Sequence, residues 1–228
     1  MYITVLNRIQ PKNFEDRRKT ARMLAKRITD AAEIGERATH KMVCDIAGVY
    51  DRKEQNLLYF KPNLDDSKLI IQSEQPIPEG NAEKYGYAHE SNDMTEMINS
   101  IHDGDDVYFL AKLAPVKNSP DGRKRKMSIK TLEERFEWVK RRLKDNGAEI
   151  KENTAISELT TEKIEWTHMP KSNDGTEKIR QEGSVYAHVY QGMLHIIDAD
   201  KFRNAVHTGI GRNKAYGCGM LLVRKAEI

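Results

Sequence analysis

His40 has the most chemical scope of any residue in this sequence. It stands in the segment RATHKMV, flanked by Arg37 and Lys41, near the start of a helix expected over 38–49. Positive neighbours and a helix N-terminus favour a neutral imidazole, whereas a bound phosphate favours the charged one. A neutral ring could take the proton of a ribose 2′-OH, and a charged ring could protonate a departing 5′ oxygen. On spacing alone, a solitary histidine is a surface or structural residue more often than a catalytic one, so both readings stay open here. The remaining histidines, His89, His102, His168, His188, His195 and His207, form no HxH, HxxxH or HExxH pattern joined to carboxylates. Cys44 and Cys218 are far apart and lack CxxC spacing, so no metal centre, no cofactor and no disulfide framework is expected. There is no GxSxG and no carboxylate cluster of the magnesium-nuclease kind. Chemistry in which RNA supplies its own 2′-OH nucleophile remains, and it asks the protein for orientation, proton transfer and cations around phosphate.

Two segments offer such cations. The stretch from Lys112 to Lys130 holds Lys112, Lys117, Arg123, Lys124, Arg125, Lys126 and Lys130 against a single acid, Asp121. Pro115, Pro120 and Asp121-Gly122 mark it as loop, and clustered cations on a loop beside a sheet are the footprint of a nucleic-acid site. A solvated charge run is the plainer alternative. The segment GIGRNKAYGCG places Gly209, Gly211, Gly217 and Gly219 around Arg212 and Lys214. Its order fits neither nucleotide-binding fingerprint, so an RNA backbone suits it better than ATP, while a tight helix-to-strand connection explains the glycines equally well. A third segment, IEWTHMPKSNDGTEKIR, carries His168 and Lys171 and reads either as an RNA-facing arm or as a polar hairpin tip.

The elements that must position these residues are legible in part. Tyr2–Arg8 reads as a strand, Asn13–Thr29 and 38–49 as helices, and LLYFKP and KLIIQS as two strands around turn residues. Pro76–Ser100 shows little pattern beyond a short helix near Asp93–Ile98, and DVYFLAKLAP then reads as the strand completing a β-α-β-β-α-β, ferredoxin-like unit. The second half repeats the habit. A helix over Thr131–Asp145 opens on a Thr131-to-Glu134 capping box, strands are expected near Lys163–Met169, Ser184–Tyr190 and Met193–Asp198, a short helix over Ala199–His207, and GMLLVRK closes the chain. The expected organisation is α+β: two tandem ferredoxin-like (RRM-like) domains over 1–112 and 131–228, with the basic segment 113–130 between them.

Bulk composition narrows the class further. The 228 residues are 38% hydrophobic and 32% charged, with a net charge of only +3, so any basic site must come from distribution rather than from the total. No apolar run approaches the roughly 20 residues of a membrane span, and the first residues lack the layout of an export signal. A cytoplasmic protein with no membrane partner is the expectation.

Taken together, MYITVLNRI, His40 early in a helix, LLYFKP with IIQSEQP, VYFLAKLAPVK, LEERFEWVKRRL and GIGRNKAYGCGMLLV resemble the CRISPR repeat-processing endoribonucleases of type I-E systems, subunits of the Cascade complex. The resemblance covers nearly the whole chain, and the G-x-G-x5-G-x-G layout around Lys214-Ala215 is its most specific part. It implies paired ferredoxin-like domains, metal-independent cleavage at the base of a precursor CRISPR RNA repeat hairpin, 2′,3′-cyclic phosphate and 5′-OH ends, and a product kept within Cascade. The family's catalytic histidine falls on His40 and its basic loop on Lys112–Lys130. A tyrosine that family members carry three residues before this histidine is here Arg37, which cannot shuttle a proton but could stabilise charge on the phosphorane-like intermediate. A non-cleaving subunit that holds the hairpin is the alternative.

Overall fold

The computed structural model describes residues 1–9, 36–49, 56–62, 67–119, 126–150, 156–168 and 181–226, with backbone alone at 36–38, 166–168 and 181–182. The helix expected over Asn13–Thr29 lies outside these residues. Two compact units form, an N-terminal one of Tyr2–Asn92 with Glu165–Ser184 and a C-terminal one of Met1, Asp93–Ile164 and Val185–Ile228. Each is ferredoxin-like in its strand order.

In the N-terminal unit, strand β1 (Tyr2–Arg8) buries Thr4 and Leu6 at alternate positions and pairs antiparallel with β3 (Lys68–Ser73), which pairs antiparallel with β2 (Leu58–Phe60). The sheet order is β2-β3-β1-β4, with β4 at Tyr87–Asp93. Helix α1 (Glu36–Ala47) packs on it through Met42, Val43 and Ile46, which join Leu6, Tyr59, Leu69, Ile71 and Tyr87 in one core. Burying each such side chain contributes roughly 1.5–3 kcal/mol. Where a second helix of the fold would stand there is one 3-10 turn, Glu83–Tyr85, closed by Gly86 at φ 76°. That region still anchors α1: Asn81 Nδ2 donates to the carbonyls of Asp45 and Ile46, and Tyr85 OH donates to Asp45 Oδ2 at 2.8 Å.

The C-terminal unit begins with the short α2 (Thr95–Asn99) and runs β5 (Asp106–Leu113), β6 (Val116–Asn118), β7 (Lys126–Ser128), α3 (Leu132–Asp145), β8 (Ala148–Glu149), β9 (Ser157–His168) as far as Ile164, β10 (Gln181–Ile196) from Val185 on, α4 (Ala199–Thr208) and β11 (Leu221–Lys225). Its main sheet has the order β11-β5-β10-β8, with β9 paired to β10. Two strand assignments are corrected here. DVYFLAKL, expected to close the first unit, is the central β5 of the second, because Val107, Phe109, Ala111 and Leu113 face the core containing Val139, Leu143 and Phe202. β4 fills the vacated place, and it escaped the sequence pattern because Tyr87 is its one fully buried residue. The unit boundary therefore falls near residue 93 rather than after 112. The two strands expected around Gln191-Gly192 are one continuous β10, which pairs those residues with Leu110 and Phe109.

A partly buried polar cluster ties α3, β9 and β10 together. Arg135 grips Glu158 through Nε and Nη2, each at 2.9 Å, and donates through Nη1 to the Lys130 carbonyl at 2.5 Å. Glu158 also meets His188 Nδ1 at 3.1 Å, and Thr161 Oγ1 lies 3.0 Å from the same nitrogen. Burial pushes His188 below the usual histidine range against the pull of Glu158. For Glu158, burial alone would raise the carboxyl, but Arg135 and His188 overcome it and hold it below the ordinary carboxylate value. Burial together with Glu158 pushes the neighbouring Tyr190 hydroxyl upward. Both His188 and Glu158 thus bind protons more weakly folded than unfolded. As pH falls below the ordinary histidine value of 6.5, the unfolded chain takes up the proton first and stability drops, with a second loss below the ordinary glutamate value of 4.5. Thermal melts between about pH 7.5 and about pH 5 should show this acid-side loss, and His188→Asn should flatten it. Equal slopes for the two proteins would contradict the assignment.

Candidate active site and nucleic-acid interface

His40 is the fifth residue of α1, close to the helix start as its sequence context implies. It faces inward: the residue is 8% exposed and its Nδ1 is buried. Its ring stacks on Tyr59 of β2, with centroids 6.2 Å apart and planes 27° apart. Its Nε2 lies 3.8 Å from Sγ of Cys44, one helical turn on. Neither neighbour figured among the sequence candidates. Cys44 could have been found from its i,i+4 spacing to His40, whereas nothing local links His40 to Tyr59. Lys41, the next residue, is exposed. The Arg37 side chain lies outside the described residues.

The basic segment is not uniform. Lys112 is not an exposed cation: it is 2% exposed on β5 and ion-paired with Glu162 of β9. A buried ammonium is held by its partner because desolvation is costly, so Lys112 is withdrawn from the phosphate-binding set. Where a loop was expected, the described residues of the segment include two short antiparallel strands, β6 and β7. Lys117 and Lys126 are exposed on them, and Lys130 just beyond is exposed too. Lys117 Nζ reaches both carboxylate oxygens of Glu134 at 2.8 and 2.9 Å, which lowers the Glu134 carboxyl below its usual value. Lys126 Nζ donates to Asn118 Oδ1. Ser128 Oγ accepts from the Tyr186 N–H at 3.1 Å, pinning the hairpin to β10. Arg123, Lys124 and Arg125 fall outside the described residues, as does Lys171. His168 ends β9, with its side chain outside the described set.

The glycine-rich segment closes on itself. The N–H groups of Ile210, Tyr216, Gly217, Cys218 and Gly219 bond to the carbonyls of Gly219, Asn213, Lys214, Asn213 and Lys112 respectively, so those donors are not offered to a ligand. Gly209, Gly211, Gly217 and Gly219 all have positive φ, and a Cβ on Gly219 would lie 2.7 Å from the Ile210 carbonyl oxygen. Steric need explains these glycines. Lys214 is turned in toward the end of α4, donating to the Thr208 carbonyl at 2.5 Å, and burial lowers its pKa. Arg212 is the exposed cation of the segment.

Helix α3 brings these parts of the C-terminal unit together. Glu134 meets the hairpin's Lys117, while Trp138, one turn further on, packs by Gly211, where a Cβ would sit 3.3 Å from the indole. Arg142 stacks over Trp138, with Cζ 5.4 Å from the ring. His40 belongs to the other unit. Among the described residues no group of three or more His, Cys, Asp or Glu side chains is arranged to hold a metal ion, and no helix is long and apolar enough to cross a membrane.

Comparison with known proteins gives a consistent kinship. The CRISPR-associated endoribonuclease Cse3 of Thermus thermophilus is 26% identical over 126 residues, an alignment covering 54% of this chain and 58% of that protein. The aligned part therefore spans little more than half of that relative. The structure of Thermus thermophilus Cse3 bound to an RNA representing a pre-cleavage complex matches with a TM-score of 0.67 at 18% identity, covering 98% of each chain. A chain of a CRISPR RNA-guided surveillance complex matches with a TM-score of 0.59 at 18% identity, covering 99% of this chain and 100% of that one. At such identities the structural likeness establishes the tandem ferredoxin-like fold. Because the model of the CRISPR associated protein family matches residues 6–225, nearly end to end, the chain belongs to that family.

Proposed function

We propose that this protein is a metal-independent endoribonuclease that binds the stem-loop of precursor CRISPR RNA repeats and cuts at the base of the stem. The observation that carries the reading is His40, early in α1, in a chain that belongs to the CRISPR associated protein family from residue 6 to residue 225. In the reaction, the ribose 2′-oxygen bonds to the adjacent phosphorus and the bond from phosphorus to the 5′ oxygen breaks. The products are a 2′,3′-cyclic phosphate and a 5′-hydroxyl. One proton leaves the 2′-OH and one reaches the 5′ oxygen, and an imidazole serves either transfer. His40 fills that role, and Arg37 and Lys41 add positive charge about the phosphate. With His40 8% exposed, RNA binding has to uncover its ring, in keeping with catalytic contacts that complete only in the bound state. The cut product stays with the protein inside Cascade, whose other subunits are its partners, and the setting is the cytoplasm.

Exposed cations on the C-terminal unit supply the sequence-independent grip on RNA. These are Lys117, Lys126, Lys130 and Arg212, with Arg123, Lys124 and Arg125 in the basic segment's sequence; Lys171, in the separate segment after β9, is proposed to add to them. Lys117 then exchanges Glu134 for a phosphate, a near-even trade for an exposed pair. A non-cleaving, hairpin-holding subunit is the competing reading, favoured by the burial of His40.

His40→Ala separates the two. Under the proposal it slows single-turnover cleavage by about 100-fold or more and leaves hairpin affinity within about threefold. An unchanged cutting rate would remove His40 from the chemistry. For the interface, Lys117→Ala with Lys126→Ala should reduce the salt dependence of RNA binding by about 0.7 to 0.9 in log–log slope for each phosphate no longer neutralised. A slope that does not move would take the hairpin out of the interface.

A further inference from the structure

We propose that Cys44 is a positioning residue for His40, its sulfur holding the Nε2 edge of the imidazole until RNA takes that place. The inference rests on the reading of His40 as the proton-transfer group.

The geometry of α1 carries it. Sγ lies 3.8 Å from Nε2, within reach of a hydrogen bond to sulfur, and the two residues are one turn apart, so the helix backbone itself fixes the pair. The ring face is held separately, by Tyr59, which is fully buried in the sheet. An imidazole held on one face and one edge is confined to a narrow orientation, and the hydrogen shared with sulfur biases which nitrogen carries the proton. A thiol is a weak donor and a weak acceptor. It therefore orients the ring without competing strongly against a ribose hydroxyl or a phosphate oxygen. Pre-orientation of this kind lowers the barrier by sparing the ring a search at the moment of reaction.

The test follows cleavage of a repeat hairpin in single turnover across pH, together with binding of a hairpin lacking the 2′-OH at the cleavage site. The full chain is compared with Cys44→Ala, Cys44→Val, Cys44→Ser and His40→Ala. Losing the contact that pre-orients the ring should slow cleavage about 3- to 10-fold in the alanine and valine variants, shift their pH–rate profiles and leave affinity unchanged. Serine, which keeps a polar hydrogen, should restore most of the rate. Valine keeps the side-chain bulk, so it decides the matter if the alanine variant does not fold. An unmoved pH profile in the apolar variants, or loss of affinity in step with rate, overturns the role of Cys44. Continued cutting by His40→Ala overturns the underlying reading instead, and that variant retains Cys44, so the two failures are distinct.

Discussion

Helix α1 buries Val43 and Ile46 against Tyr59, Leu69 and Ile71, and every placement in the candidate active site follows from that packing. Side chains three and four apart share a helix face. The face that carries Val43 into the core therefore brings His40 and Cys44 inward with it, and sets the imidazole against Tyr59. The far end of the helix is held as firmly, by Asn81 on its last carbonyls and by Tyr85 on Asp45. A site built this way holds the imidazole on one face and one edge. Its cost is access, since the same packing that orients His40 covers it.

The C-terminal unit resolves a different conflict, that of gathering positive charge in a chain of net charge +3. Many of its cations are already engaged. Lys112 is sealed against Glu162, Arg135 is held by Glu158, and Lys214 caps the end of α4. The last contact also suits the negative end of the helix dipole. Among the lysines and arginines that remain exposed, Lys117 and Lys126 lie on β6 and β7, Lys130 just past them and Arg212 in the glycine-rich turn. The structural cations are buried or half-buried, and those proposed for RNA are exposed or lie outside the described residues.

Much of this was legible in the sequence, for local reasons. Thr131 caps α3 as its sequence implies, its Oγ1 accepting from the Glu134 N–H, and α4, β1, β3 and β11 lie close to where their periodicities put them. What could not be read depends on partners distant in sequence. β4 has too few buried residues to show an alternation, and β5 carries no mark of which sheet it will join. Lys112 looked like its basic neighbours because Glu162, fifty residues away, is invisible to spacing. The glycine turn had two open explanations, and backbone carbonyls, its own and that of Lys112, decide for the steric one at the N–H groups they occupy.

The central question is whether this fold cuts RNA with the 2′-OH as nucleophile and no metal ion. The most direct measurement incubates the purified protein with a labelled repeat hairpin in excess EDTA and determines the chemistry of the 3′ end of the upstream product. A single cut at the base of the stem, leaving a 2′,3′-cyclic phosphate, is the predicted result. Cleavage that needs added metal, or a product ending in a free 3′-hydroxyl, would contradict it.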